Sequence, residues 1–211
     1  MSRVLEKGLG KILRELEGAS FGLTEEQMEA LEDHLRMLLK WNWRMNLTGL
    51  KGVEAIVRRH YAESLYLGQL LPPGGISVAD VGSGAGFPGF PIAVLRPEAR
   101  VALLESNARK AVFLREACRS AANVRVVEGR AEDCRERFDW LVARGVAWTQ
   151  LAGLIPRLSR GVAVLVGERS VQDLGKDVRI SWADPVRVPW MRSGFAMLGV
   201  YRSADIAERS T

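Results

Sequence analysis

Cysteine is scarce in this sequence. Its 211 residues include two, Cys118 and Cys134, and both lie in segments without metal-ligand spacing. That argues against a thiolate metal site or a disulfide framework, and a reducing, cytoplasmic compartment is expected. Long apolar runs are missing too. No stretch reaches the ~18 consecutive apolar residues of a membrane span. The opening MSRVLEKGLGKILRELE lacks the apolar block of a secretion signal and reads as an amphipathic helix. With no internal repeat, low-complexity segment or long linker, the expectation is a monomer without metal and without a membrane.

What the chain does carry is positive charge. Thirty Lys and Arg face 25 Asp and Glu, a net charge of +5 with arginine supplying the excess. Such a surface favours polyanions, nucleic acid above all. A basic, solvated surface with no partner is the plainer alternative.

Residues 1–70 read as wholly helical. Thr24 and Gln27 have capping-box spacing, and Met28, Leu31, Leu35 and Leu38 follow at helical intervals toward Trp41 and Trp43. Both tryptophans are expected to pack. A further helix fits Val53 to Leu71 and stops at Pro72-Pro73-Gly74-Gly75, the clearest boundary in the chain. The division expected is a helical extension over 1–73 and an α/β domain over 74–211. In that domain short apolar runs alternate with helical stretches: strands over 76–81, 101–105, 124–128, 140–143 and 162–166, and helices over 88–95, 108–120 and 149–158. This alternation predicts a parallel sheet covered on both faces, with residues 194–201 adding strands at an edge.

In such sheets ligands sit beyond the carboxyl ends of the strands, where the strand order reverses. DVGSGAGFPGFP, residues 80–91, falls at the end of the first strand and sets Gly82, Gly84, Gly86 and Gly89 close together. Glycine is costly in a regular element, so this density means a tight turn or a close approach. A dinucleotide loop requires G-x-G-x-x-G, and Phe87 occupies its third position. The spacing present, D-x-G-x-G-x-G with Asp80 closing the strand, belongs to S-adenosylmethionine (SAM) methyltransferases of the Rossmann-like class I. The second strand ends in Glu105, where a carboxylate can accept both ribose hydroxyls. A surface carboxylate is the competing reading of Glu105 taken alone. After the third strand, Ala131 and Glu132 of GRAED are expected beside the adenine.

The residues after strand four narrow the acceptor. Enzymes that methylate exocyclic amines place Asn or Asp before Pro-Pro-aromatic there, and this chain has ARGVAW, Ala143 to Trp148. Cytosine-C5 methylation needs a cysteine nucleophile, and neither cysteine is so placed. Guanine N7 fits the gap, because its lone pair is free at neutral pH. Arg144, the one charge at that strand end, is expected on the SAM carboxylate, on a phosphate or on O6 alone, since pairing N7 would block it. His60 reads as packed or solvated rather than catalytic.

Together DVGSGAGFPGFP, KWNWRMNLTG (Lys40 to Gly49), RRHYAES (Arg58 to Ser64) and GRAE (Gly129 to Glu132) resemble the RsmG/GidB-type methyltransferases, over residues 20–167. The resemblance implies SAM-dependent formation of 7-methylguanosine in bacterial 16S ribosomal RNA, either naked or in the small subunit. It implies SAM contacts at Gly82, Phe87, Ala131, Glu132 and Arg144, with Glu105 on the ribose. The chain departs from the family's pattern at three places: Glu63-Ser64 for Asp-Ser, Val166 for a lysine after the fifth strand, and RSGFAML without an Arg-His pair. A methyltransferase of another substrate, a SAM- and RNA-binding protein without activity, and a nucleotide-binding oxidoreductase remain the rival readings.

Overall fold

The computed structural model describes residues 8–202 apart from Glu17 and Ala19. Of the amphipathic stretch expected at the N-terminus, α1 (Leu9–Arg14) is helical, and residues 1–7 and Glu17 lie outside the described residues. The second helix, α2 (Glu25–Met45), starts at the expected capping box: Gln27 N–H donates to Thr24 Oγ1 at 3.3 Å, and Thr24 N–H donates to Gln27 Oε1 at 2.9 Å. It ends at Asn46 in the left-handed region, φ 49°.

A continuous helical run comes next as α3 (Val53–Ile56), one π-helical turn (Val57–Ala62) and α4 (Glu63–Leu70). Residues 20–24 and 46–52 are not helical, so the reading of 1–70 as wholly helical is corrected there. Each linker holds a glycine at positive φ, Gly22 at 58° and Gly52 at 85°, which a helix does not accommodate.

The strands β1 (Ser77–Val81), β2 (Arg100–Glu105), β3 (Val124–Glu128), β4 (Phe138–Arg144) and β5 (Ser159–Gly167) pair in parallel in the order 3-2-1-4-5. Between them run α5 (Gly89–Leu95), α6 (Ala108–Ala117) and α7 (Trp148–Leu158). The order reverses at β1, which places the glycine loop at the switch point. The sheet is mixed rather than purely parallel. After α8 (Glu168–Gly175), β6 (Ile180–Trp182) and β7 (Val186–Arg187), β8 (Gly194–Tyr201) runs antiparallel between β5 and β6 instead of lying at the edge.

Successive strand residues face opposite cores, as the two-residue period requires. Val78, Leu103, Val142 and Ala163 pack with the helices before β1 and with α5 and α6. Ala79, Leu104, Leu141 and Val164 pack with α7 and α8. The first core is closed by an aromatic cluster around His34 of α2. Its ring stacks on Phe90 at 4.4 Å, lies edge-on to Phe87 and Phe113, and bonds Tyr61 Oη through Nδ1 at 2.7 Å. Burial pushes the His34 imidazole down to about 3, so this ring is a neutral core residue.

Gly89 shows how tightly the loop after β1 is seated. A Cβ there would stand 2.5 Å from Leu103 Cδ2 and 2.7 Å from Asp80 Cβ. Gly89→Ala is expected to destabilise the fold by about 1–3 kcal/mol through overpacking. Urea unfolding should show a lower midpoint at an unchanged slope. A midpoint equal to that of the parent would contradict this packing.

Candidate active site

The site begins where β1 ends. Asp80 is fully buried. Its Oδ2 accepts from Gly89 N–H at 2.9 Å, while Oδ1 has no partner, and burial lifts the carboxyl to about 7. Gly82, Gly84 and Gly86 then take φ of 68°, 59° and 93°, values that favour glycine over any residue with a Cβ. Glu105 holds the turn in place. Its Oε2 accepts from Gly84 N–H and its Oε1 from Asn107 N–H, each at 2.8 Å, so one carboxylate ties the glycine loop to the start of α6.

Beside this clamp lies a cleft of about 180 Å³. Its lining includes Gly82, Leu104, Ala131, Glu132, Val146 and Leu154. Residues 131–133 form a 3₁₀ turn pinned from α7, where Arg157 donates to the carbonyls of Ala131 (3.0 Å) and Cys134. Gly82, Ala131 and Glu132 therefore converge on one cleft, next to the strand end that carries Glu105. Phe87 does not join them. Its ring is buried and stacks on His60 at 4.7 Å, and its N–H donates to Ser83 O.

Arg144 faces a second cleft, of about 220 Å³, at the ends of β4, β5 and β8. Gly145 lines the Arg144 cleft and Val146 the first, and both also line a third cleft of about 350 Å³ with Trp148, Val164 and Gly167. Arg144 is mostly buried and is gripped from the preceding helices. Its Nη2 lies 3.4 Å from Glu63 Oε2, and its Nη1 donates to His60 Nδ1. Since arginine can only donate, His60 Nδ1 must accept, and its proton sits on Nε2, which donates to Thr48 Oγ1 at 2.7 Å. Burial and then the Arg144 and Arg59 charges push the His60 imidazole down to about 3. Burial also raises the Glu63 carboxyl above the usual range, against the pull of Arg144 and Arg59.

Sequence reasoning placed Arg144 at the end of β4 but missed its partners. RRHYAES held the signal, because the π-helical turn carries His60 and Glu63 follows directly after it. Such turns often mark functional positions. The three departures from the family's pattern also meet here: Glu63, Val166 and the Ser193–Phe195 stretch of RSGFAML all line the Arg144 cleft. Among the described residues no group of three or more His, Cys, Asp or Glu is placed to hold a metal ion.

Comparison with known proteins bears on the family and the fold. The family model described as rRNA small subunit methyltransferase G matches residues 27–161. A ribosomal RNA small subunit methyltransferase G from Chromobacterium violaceum is 35% identical over 88% of this chain and 90% of its own length. One of the same name from Halorhodospira halophila is 36% identical over 76% and 79%. Among solved structures, a SAM dependent methyltransferase from Aquifex aeolicus superposes with a TM-score of 0.57 over 70% of this chain and 93% of its own, at 15% identity, a likeness of fold. By its sequence match over more than half its length, the chain belongs to the rRNA small subunit methyltransferase G family.

Proposed function

We propose that the protein transfers a methyl group from SAM to N7 of a guanosine in small-subunit (16S) ribosomal RNA, acting as a cytoplasmic monomer. One observation carries the choice of atom: the Arg144 cleft presents no free base. Arg59 and Arg144 can only donate hydrogen bonds, Glu63 is engaged by both, and His60 spends its lone pair on Arg144. An acceptor that must lose a proton finds nothing there to take it. Guanine N7 needs none, only alignment and exclusion of water. The RNA itself is supported by the names of the relatives and by the basic composition.

The first cleft suits SAM. Gly82 leaves room for close backbone approach, Ala131 and Glu132 flank the adenine, and each Glu105 oxygen keeps a second lone pair for a ribose hydroxyl. Gly84 serves by presenting its N–H to Glu105, and Phe87 by backing His60. When bound, SAM supplies a sulfonium methyl as electrophile. Arg144, facing the second cleft, positions the guanine through O6 or holds the SAM carboxylate, with His60 and Glu63 fixing its guanidinium. In this division of labour residues 1–73 contribute those two side chains, and residues 74–211 contribute the SAM cleft.

A second reading, SAM and RNA binding without transfer, is favoured by one observation: all three departures from the family's pattern line the acceptor-side cleft. The decisive assay is incubation of SAM with small ribosomal subunits lacking the modification. Borohydride reduction followed by aniline should cleave the RNA at one new site, because a 7-methylguanine ring is cationic and labile. Methyl incorporation without that cleavage would place the methyl on another atom. No incorporation despite SAM binding would establish the second reading.

Two predictions concern the machinery. Glu105→Gln keeps the shape but turns one acceptor into a donor that meets a backbone N–H, so calorimetry should find SAM affinity lowered by about 1–3 kcal/mol. Unchanged affinity would remove Glu105 from the site. For His60, the folded value of about 3 lies below the ordinary 6.5, so the ring stays neutral through that range and protonates only as the pH falls toward 3. Single-turnover methylation should therefore show no step near pH 6.5. A step there that disappears in His60→Gln would contradict the locked tautomer.

A further inference from the structure

The last two turns of α2 hold a feature that neither the SAM cleft nor the fold uses. The buried stripe of that helix, Leu31, Leu35 and Leu38, continues to Trp41, which packs on Phe113 with centroids 5.9 Å apart. Trp43 leaves the stripe. It is 74% exposed, and among the described residues it is the only aromatic in the set of large, exposed apolar side chains. The expectation that both tryptophans pack thus holds for Trp41 and fails for Trp43.

Single exposed apolar residues are common on monomers and need no partner. Three things set this one apart. The Arg44 guanidinium lies 4.5 Å from the Trp43 ring centroid, over one face. The pair borders an open, largely apolar cleft of about 330 Å³ lined by Lys40, Trp41, Trp43, Arg44 and Met45, two cations and no acid. The helix end that carries the patch is also hydrogen-bonded, through Thr48 and His60, to Arg144. Asn42, beside Trp43, brackets Thr48 by donating to its carbonyl (3.1 Å) and accepting from its N–H (2.8 Å). Thr48 Oγ1 in turn accepts from His60, which accepts from Arg144.

We propose that Trp43, with Lys40 and Arg44, is a stacking platform for an unpaired RNA base near the target guanosine, the two cations meeting its phosphates. This rests on the reading of RNA as substrate. A flat π-face beside a guanidinium, flanked by positive charge and free of carboxylates, matches the chemistry of single-stranded nucleic acid: each base offers a face to stack and each linkage a negative charge. The tether through Asn42 and Thr48 fixes where such a base would lie relative to Arg144.

The test compares Trp43→Ala and Trp43→Phe with the parent protein, using protein-free single-stranded fragments of small-subunit RNA for binding and whole subunits for methylation. Trp43→Ala should weaken fragment binding roughly five- to hundred-fold, as loss of one stacked base does. Trp43→Phe should stay within about three-fold, and calorimetric SAM affinity should be the same in all three. Replacing Lys40 and Arg44 together by Gln should reduce the slope of log affinity against log salt by about 1.4, two single-strand phosphate contacts. Fragment binding by Trp43→Ala equal to the parent's would overturn the platform, and so would a defect seen only on assembled subunits, which would assign the patch to a ribosomal protein. If the parent protein itself methylates no subunits, the functional reading fails instead, whatever the fragments show.

Discussion

The guanidinium of Arg144 ties the helices that precede the sheet to the end of β4. It stands at the end of a central parallel strand, yet the side chains that hold it, His60 and Glu63, come from helices that precede the sheet. A mostly buried arginine is stable only when its donors are satisfied, so the helical extension cannot shift against β4 without unpairing it. Burial first and the Arg144 charge second keep His60 neutral, and the ring is held on its other sides by Thr48 and by the stacked Phe87. Directly after Arg144, Gly145 lines the cleft bordered by Arg144 and Val146 lines the cleft bordered by Gly82 and Ala131.

Much of this was legible in the sequence because it is locally encoded. The Thr24–Gln27 cap, the break at Pro72–Gly75 and the apolar runs of β1 to β5 each depend on neighbours a few residues away. The glycine loop was legible for the same reason, although its clamp was not: Glu105 was read as a ribose acceptor, and the structure adds two backbone N–H groups that it already serves. What stayed hidden depends on distant partners. The insertion of β8 between β5 and β6 is a pairing across many residues. The contrast between Trp41 and Trp43 depends on which side of α2 meets α6. His60 offered no local sign of the arginine it meets 84 positions away.

The departures from the family's pattern illustrate the same point in reverse. Along the chain Glu63, Val166 and the Ser193–Phe195 stretch are unrelated. In the fold they border one cleft, the one Arg144 faces, while the cleft proposed for SAM has none of them. They are therefore one feature of the Arg144 cleft rather than three scattered losses. Their chemistry is coherent too: with Val166 and Phe195 apolar, Arg59 and Arg144 are the cleft's only cations among the described residues.

The central claim is that the methyl crosses from one cleft to the other beside Arg144. A crystal structure with S-adenosylhomocysteine tests it most directly. The account predicts the adenine between Ala131–Glu132 and Val146–Leu154, the ribose hydroxyls on Glu105, and the sulfur facing the cleft that holds Arg144. Adenosine bound in the Arg144 cleft, or a sulfur turned away from it, would contradict the account.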